Sequence, residues 1–102
     1  MQSKIVKLIA AIRERPGMYI GTKSLKFLHL FICGYICAMN QEGIDCGEEI
    51  YYSFNEWHAA KYNVKESIIW STYLPDVCDK SKDPFDFFFE EFFYYVENVY
   101  GK

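Results

Sequence analysis

The chain has 102 residues, a hydrophobic content of 51% and a formal net charge of −3. A chain of this length buries about two thirds of its unfolded surface, so one domain is predicted over residues 1–102. Aromatic residues make up 20% of the chain, which is more than one small core can hide. We therefore expect some aromatic side chains at the surface, where they favour binding to a partner.

The net charge conceals an asymmetry between the two ends of the chain. Residues 1–41 carry six basic side chains and one acidic one, whereas residues 42–102 carry thirteen acidic and five basic side chains. The basic groups are few and do not cluster with aromatics in a nucleic-acid-reading motif, so binding to nucleic acid is not expected. The acidic half favours a basic partner instead.

Residues 1–11 mix lysines with apolar residues and show no cleavage-site pattern, so no secretory signal is predicted. The apolar run from Phe27 to Met39 is too short to span a bilayer. Together these features predict a cytoplasmic protein. The cysteines contain no C-x-x-C pair, so we expect four free and mostly buried thiols at Cys33, Cys37, Cys46 and Cys78.

The first predicted helix runs from Ser3, a good N-cap, to Glu14. Its apolar residues repeat with the spacing of one helical face: Ile5, Leu8, Ile9 and Ile12. A rigid bend is predicted next, over Arg15, Pro16, Gly17, Met18, Tyr19, Ile20 and Gly21. Pro16 should end the preceding helix, Gly17 is free to adopt a positive φ, and the apolar residues that follow should pack against the core.

A second helix is predicted from an N-cap at Ser24 to Asn40, and it is apolar nearly all round, which is typical of a central buried helix. A third helix should cover residues 48–62, with Ile50, Phe54 and Trp57 facing inward. Residues 64–73 could form a short helix or a strand, and a helix is favoured because lone strands are unstable.

Residues 75–83 are predicted to form a loop, and Asp83 and Pro84 are good first residues for a last helix that ends near Tyr100. The predicted fold is all-α, a compact single-domain bundle of four to five helices.

The residues RPGMYIG between Arg15 and Gly21 resemble a segment of the gyrase and topoisomerase B-subunit ATPases. The rest of that ATP site has no counterpart, because the chain lacks paired glycine loops for phosphate and an Asn box with a neighbouring Glu and Asp. ATP binding is therefore not expected.

The pattern from Ile12 to Tyr35 also resembles a group of small bacterial proteins. This group includes immunity proteins of polymorphic toxin systems such as contact-dependent growth inhibition. Their later aromatic pattern and Phe-rich last helix are similar to Phe54, Trp57, Tyr62, Trp70 and the segment 85–93.

This resemblance implies an immunity protein that binds a cognate toxin C-terminal domain, with no nucleic acid, membrane or small-molecule substrate as partner. Such toxins are often nucleases with basic clefts, which an acidic protein would block by occlusion. The alternatives are an all-α interaction or regulatory module with another protein partner, and a metal- or ligand-binding helical protein.

Two alternatives concern chemistry. His29, Cys33 and Cys37 share one helical face and could bind zinc if Cys46, Cys78 or His58 supplied a fourth ligand, although buried helices also use Cys as a small hydrophobe. Cys33 could form a catalytic dyad with His29 or His58. No oxyanion hole is recognisable, so the chain is predicted to be no enzyme and to bind no cofactor or metal.

The last predicted helix offers the best functional candidate. Its core stripe comprises Phe85, Phe88, Phe89, Phe92, Val96 and Tyr100. Aromatic and polar residues recur on the opposite side at Phe87, Glu91, Tyr94 and Asn98, flanked by Asp83, Glu90 and Glu97. We predict that Phe87, Glu90, Glu91, Tyr94, Glu97 and Asn98 bind the partner, with neighbouring acids from Glu48, Glu49 and Glu56. The alternative is that another segment covers Phe87 or Tyr94.

Overall fold

The computed structural model describes residues 3–65 and 67–101. Within these ranges the structure contains no strand and six helices: α1 (Lys4–Glu14), α2 (Pro16–Ile20), α3 (Leu25–Gln41), α4 (Glu48–Lys61), α5 (Trp70–Val77) and α6 (Pro84–Asn98). The all-α prediction is confirmed, with one helix more than expected. The chain divides into two compact units, Met1–Glu48 and Glu49–Lys102.

In the first unit, α1 begins where the sequence predicts. The Ser3 hydroxyl accepts a hydrogen bond from the Val6 amide at 3.4 Å, and the Ile5 amide donates to the Cys46 carbonyl at 2.8 Å. The predicted apolar stripe is the buried face of α1, with Leu8 only half-buried. The backbone bond to Cys46 ties the start of α1 to the segment that precedes α4.

The predicted bend is itself a short helix, α2, which accounts for the additional helix. Pro16 occupies its first turn, where a missing amide hydrogen costs nothing. Gly17 is therefore helical, and the residue with a positive φ is Gly21, at 79°, which ends α2. The expectation that the bend packs against the core is wrong, because Met18 is 72% exposed and Tyr19 is also exposed.

Helix α3 starts at the predicted cap, since the Ser24 hydroxyl accepts from the Phe27 amide at 3.2 Å. It buries one face only, through Leu28, Ile32 and Ile36. The prediction that α3 is buried all round is wrong. The face opposite Ile32 is exposed although it carries large apolar side chains.

The second unit has an aromatic core, in which α4 and α6 run antiparallel. The Tyr95 hydroxyl on α6 donates to the Ser53 hydroxyl on α4 at 2.7 Å, and the Phe54 ring meets three aromatic rings of α6 within 6 Å. Helix α5 adds the fully buried Trp70, whose ring stacks on Phe88 with centroids 4.1 Å apart. Aromatic pairs of this geometry stabilise a core beyond their area burial.

The segment between α4 and α6 differs from the prediction. The expected helix over residues 64–73 begins only at Trp70, whose amide donates to the Asn55 side chain at 2.8 Å. It then continues through Pro75 to Val77, so the predicted loop over 75–83 is shorter. The start of α6 is as predicted, since the Asp83 carboxylate accepts from the Phe85 amide at 3.0 Å.

Within the described ranges, no helix is both long enough and apolar enough to cross a membrane. All four cysteines are free, as predicted. Their expected burial is only partly right, because Cys46 and Cys78 are buried, Cys33 is half-buried and Cys37 is exposed.

The close approach between Gly47 and Ser3 generates a stability prediction. Gly47 has a φ of 85°, and a Cβ built there would lie 2.6 Å from the Ser3 Cβ. The change Gly47→Ala should therefore add a steric clash to the cost of a left-handed conformation, about 2–3 kcal/mol in total. Gly43, at φ 70° with open space around it, is the matched control and should cost about 1 kcal/mol. Urea unfolding of both variants measures the difference, and equal losses would contradict the clash.

Candidate functional site

A stacked pair of aromatic rings from two helices lies at the surface of the second unit. Tyr94 on α6 is 51% exposed and lies on Trp57 of α4, with centroids 6.1 Å apart and ring planes at 25°. The Lys61 ammonium is 5.1 Å from the Trp57 centroid and 5.9 Å from that of Tyr94. Because cations are attracted to aromatic faces, Lys61 helps to hold both rings in place. We call these two residues the Trp57–Tyr94 pair.

Carboxylates lie on the same two helices. Glu56, Glu90 and Glu97 are exposed, and Glu90 forms a surface ion pair with Lys82 at 2.9 Å. A surface pair of this kind contributes little to stability, so Glu90 can exchange its partner at low cost. The Asn98 side chain donates to the Tyr94 carbonyl at 3.1 Å. These predicted site residues are therefore accessible, as the sequence indicates.

Other predicted site residues have structural roles. The Glu49 carboxylate accepts from the Tyr100 hydroxyl at 3.3 Å, and Asp83, which flanks the predicted surface, caps α6 as the sequence predicts. Glu48 is half-buried, and it is the last residue of the first unit.

The predicted outward position of Phe87 is wrong, since its side chain is only 7% exposed. Its ring meets the edge of the His58 ring at 6.2 Å, and the Lys82 ammonium lies 5.8 Å from its centroid. The reason is that α6 packs on both α4 and α5, so its buried sector is wider than one stripe. The alternative in which another helix covers Phe87 is the correct one.

The carboxylate of Glu91 also points inward, to a polar network around His58. His58 is fully buried, with Nδ1 2.7 Å from the Tyr73 hydroxyl and Nε2 3.1 Å from Glu91 Oε1. The same Glu91 oxygen accepts from the Lys61 ammonium at 2.9 Å and lies 3.4 Å from the Tyr62 hydroxyl. The network joins α4, α5 and α6 through one carboxylate.

The protonation states of this network follow from burial. Burial lowers the pKa of His58, and the nearby Glu91 carboxylate opposes that shift. Burial also raises the pKa of Tyr73, so the phenol keeps its proton. The Tyr73 hydroxyl therefore donates to Nδ1 of a neutral imidazole, and Nε2–H donates to Glu91. With every polar group satisfied and no exposed ring surface on His58, the arrangement is suited to fixing the helices rather than to meeting a substrate.

The predicted dyad and metal groups are placed as follows. His29 and Cys33 are neighbours, with Nε2 3.4 Å from the thiol sulfur. Burial lowers the pKa of His29 and raises that of Cys33, so both groups favour their neutral forms and the thiolate is disfavoured. Among residues 3–65 and 67–101, no group of three or more His, Cys, Asp or Glu side chains is positioned to hold a metal ion.

Sequence reasoning did not identify the roles of Lys61, Tyr73 and Trp57. His58 follows the buried Phe54 by one helical turn, which indicates a buried histidine with a polar partner but not that Tyr73 and Glu91 supply it. Trp57 was expected to face inward and is half-buried at the edge of α4.

No protein-family model matches the chain, and no curated protein or solved structure shows significant similarity to it.

The network predicts the effect of removing one hydroxyl. In Tyr73→Phe, Nδ1 of His58 loses its only described donor inside a buried site, which should cost about 1–3 kcal/mol of unfolding free energy. Tyr62→Phe is the matched control: its hydroxyl is half-buried and 3.4 Å from Glu91, which keeps two other donors. The control should lose less than about 1 kcal/mol. Chemical unfolding compares the two, and a larger loss in Tyr62→Phe would contradict the assignment.

The network also predicts a dependence of stability on pH. His58 has a folded-state pKa below its ordinary value of 6.5, so the unfolded chain binds protons more readily. Its contribution to stability is fully present above pH 6.5 and is lost as the pH falls from 6.5 towards the folded-state pKa. Urea unfolding between pH 8 and 5 should show this loss, and His58→Gln should reduce it. Burial lowers the pKa of His29 as well, so His29→Gln is made separately to measure how much of the pH dependence belongs to His29. An identical pH profile in His58→Gln and wild type would refute the prediction.

Proposed function

We propose that the protein is an immunity protein that binds and blocks a basic toxin domain, with the Trp57–Tyr94 pair as the centre of its binding surface. One observation carries this proposal: Tyr94 is half exposed yet held by a second aromatic ring and by Lys61. An aromatic side chain fixed in advance loses little conformational freedom on binding, so more of its burial contributes to affinity. Residues of this type are the usual anchors of protein interfaces.

The surrounding charges favour a basic partner. Glu56, Glu90 and Glu97 are exposed on the helices that carry the pair, and residues 49–102 contain ten acidic and five basic side chains. A nuclease cleft must be positively charged to hold phosphates, so an acidic surface would be steered towards it. Inhibition would then consist of covering the cleft, and it would require no chemical step by this chain.

The contacts of Glu91 remove this residue from the proposed binding surface. Because Glu91 holds His58 and Lys61, replacing it would disturb the fold as well as the charge. Phe87 is excluded as a contact residue for a related reason, since it is part of the core. The proposed contact residues are therefore Trp57, Tyr94, Asn98 and the carboxylates of Glu56, Glu90 and Glu97.

The test is co-expression with the C-terminal domain of a large toxin encoded next to this gene, followed by kinetic binding measurements. Tyr94→Ala should speed dissociation roughly 30-fold, which corresponds to about 2 kcal/mol for an interface anchor. The double change Glu90→Lys and Glu97→Lys should slow association and weaken its dependence on salt. Neither variant should lose the ability to fold, because all three side chains are exposed.

Tyr52→Ala is the matched control, since Tyr52 is 52% exposed on α4 but lies five residues before Trp57, about 140° round the helix from it. It should bind and protect cells as the wild type does. If the toxin binds but Tyr94→Ala matches Tyr52→Ala, the surface is wrong. If the neighbouring toxin does not bind and the protein gives no protection, the immunity function is wrong, and a different basic protein partner for the same surface becomes the hypothesis to test.

A further inference from the structure

The exposed face of α3 carries a pattern typical of helix pairing. Its members follow at alternating spacings of three and four residues, namely Phe27, Leu30, Gly34, Cys37 and Gln41, and Ala38 lies beside them. All six are exposed, and the two largest remain 49% and 55% accessible. Spacings of this kind place side chains in one line along a helix, as in coiled coils. We call this line the α3 seam.

The α3 seam lies opposite the buried residues Leu28, Ile32 and Ile36, so the packing of the first unit does not require it to be apolar. Leaving Phe27 and Leu30 in water has no benefit for a monomer. Contiguous apolar residues on an exposed face usually mark a contact with another molecule.

The seam is also graded in size along the helix. Large side chains stand near its beginning, at Phe27 and Leu30, and small ones follow at Gly34, Cys37 and Ala38. A Cβ built on Gly34 would meet nothing within 4 Å, so the surface is open at this point and another helix can approach closely. A partner helix that fits the seam must present small residues opposite the large ones and large residues opposite the small ones.

We propose that a second copy of the chain occupies the α3 seam, with the two α3 helices antiparallel about a two-fold axis near Gly34. In this arrangement Leu30 of one copy faces Ala38 of the other, and Phe27 faces Gln41. Leu30 of each copy thus meets a small residue of its partner, Phe27 lies against the methylene groups of Gln41, and the two glycines meet at the axis. A self-complementary surface of this kind satisfies the requirement of a two-fold dimer.

The charges at the ends of α3 select the antiparallel orientation. Lys23 and Lys26 lie at the start of α3, and Glu42 and Asp45 follow its end, all with exposed side chains. The antiparallel pairing puts the lysines at the start of one α3 at the same level as Glu42 and Asp45 at the end of the other. It also puts each lysine cluster near the negative end of the partner's helix dipole. A parallel pairing would instead bring lysines against lysines.

The size of the contact sets the expected strength. Helix α3 has 17 residues and is therefore about 25 Å long. A single pair of such helices buries an area at the low end for specific complexes. The dimer should accordingly be reversible, with a dissociation constant on the order of micromolar to tens of micromolar.

Sedimentation velocity over a concentration series tests the dimer. The wild type should shift from monomer to dimer as its concentration rises through the micromolar range. Leu30→Glu puts a charge on the seam and Gly34→Arg blocks the axis, and each should remove the shift. Both sites are exposed, so circular dichroism should show unchanged helix content. Asn40→Glu, an exposed change of the same charge on α3 outside the seam, is the matched control and should dimerise as the wild type does.

The orientation has its own test. Lys26→Glu should weaken dimerisation, and adding Glu42→Lys in the same chain should restore it, because only the antiparallel arrangement brings the start of one α3 to the end of the other. A wild type that stays monomeric at the highest concentration overturns the proposal. Dimerisation that resists both Leu30→Glu and Gly34→Arg also overturns it, since the contact would then lie elsewhere. If Glu42→Lys fails to rescue Lys26→Glu, the antiparallel pairing is wrong.

Discussion

The second unit depends on one requirement: both ring nitrogens of His58 must find partners inside an aromatic core. Tyr73 on α5 and Glu91 on α6 supply them, so one side chain of α4 fixes its two neighbouring helices. Aromatic packing alone would allow these helices to slide, because ring contacts tolerate several geometries. A buried hydrogen bond does not, since losing it leaves an unsatisfied polar group in a medium of low dielectric. The network therefore selects one arrangement among several that would bury similar apolar area.

The same network shapes the surface above it. Glu91 draws the Lys61 ammonium to the edge of the core, where it also lies over Trp57 and Tyr94. Lys61 thus pairs with a carboxylate and also holds an exposed aromatic pair in position. The core and the proposed binding surface are coupled through this lysine, and a change at Glu91 alters both. Glu90, one residue away, pairs instead with the exposed Lys82, a surface contact that it can exchange for a partner at low cost.

Much of the fold follows from local signals in the sequence. The caps at Ser3, Ser24 and Asp83 start helices where they were predicted, because a side-chain oxygen next to an apolar repeat satisfies the first free amides. The prediction of a non-helical bend at Pro16 and Gly17 is wrong for an equally local reason. Pro16 ends α1 as predicted, but proline also fits the first turn of a helix, and here a second helix, α2, starts at it.

What the sequence could not indicate depends on tertiary contacts. The start of α5 is set by Asn55, which lies fifteen residues earlier in the chain. Phe87 is buried because α6 packs against both α4 and α5. Helical periodicity predicts which face of α6 is buried, but not how wide that buried face is. The apolar composition of α3 predicted full burial, yet the structure covers only one face. For the candidate site, helical periodicity predicts the observed exposure of Tyr94, Glu90, Glu97 and Asn98. The inward position of the Glu91 carboxylate follows only from its contacts with His58 and Lys61.

The contrasting positions of the two tryptophans have a spectroscopic consequence. Trp70 is sealed in the core against Phe88 and donates its indole N–H to the Tyr51 hydroxyl at 2.9 Å. Trp57 lies at the boundary with solvent, between Tyr94 and a lysine ammonium. Since these are the only two indoles in the chain, their emission divides into an interior signal and a peripheral one. The chain thus carries two natural fluorophores, one sensitive to loss of the core and the other to whatever covers the outer surface of α4 and α6.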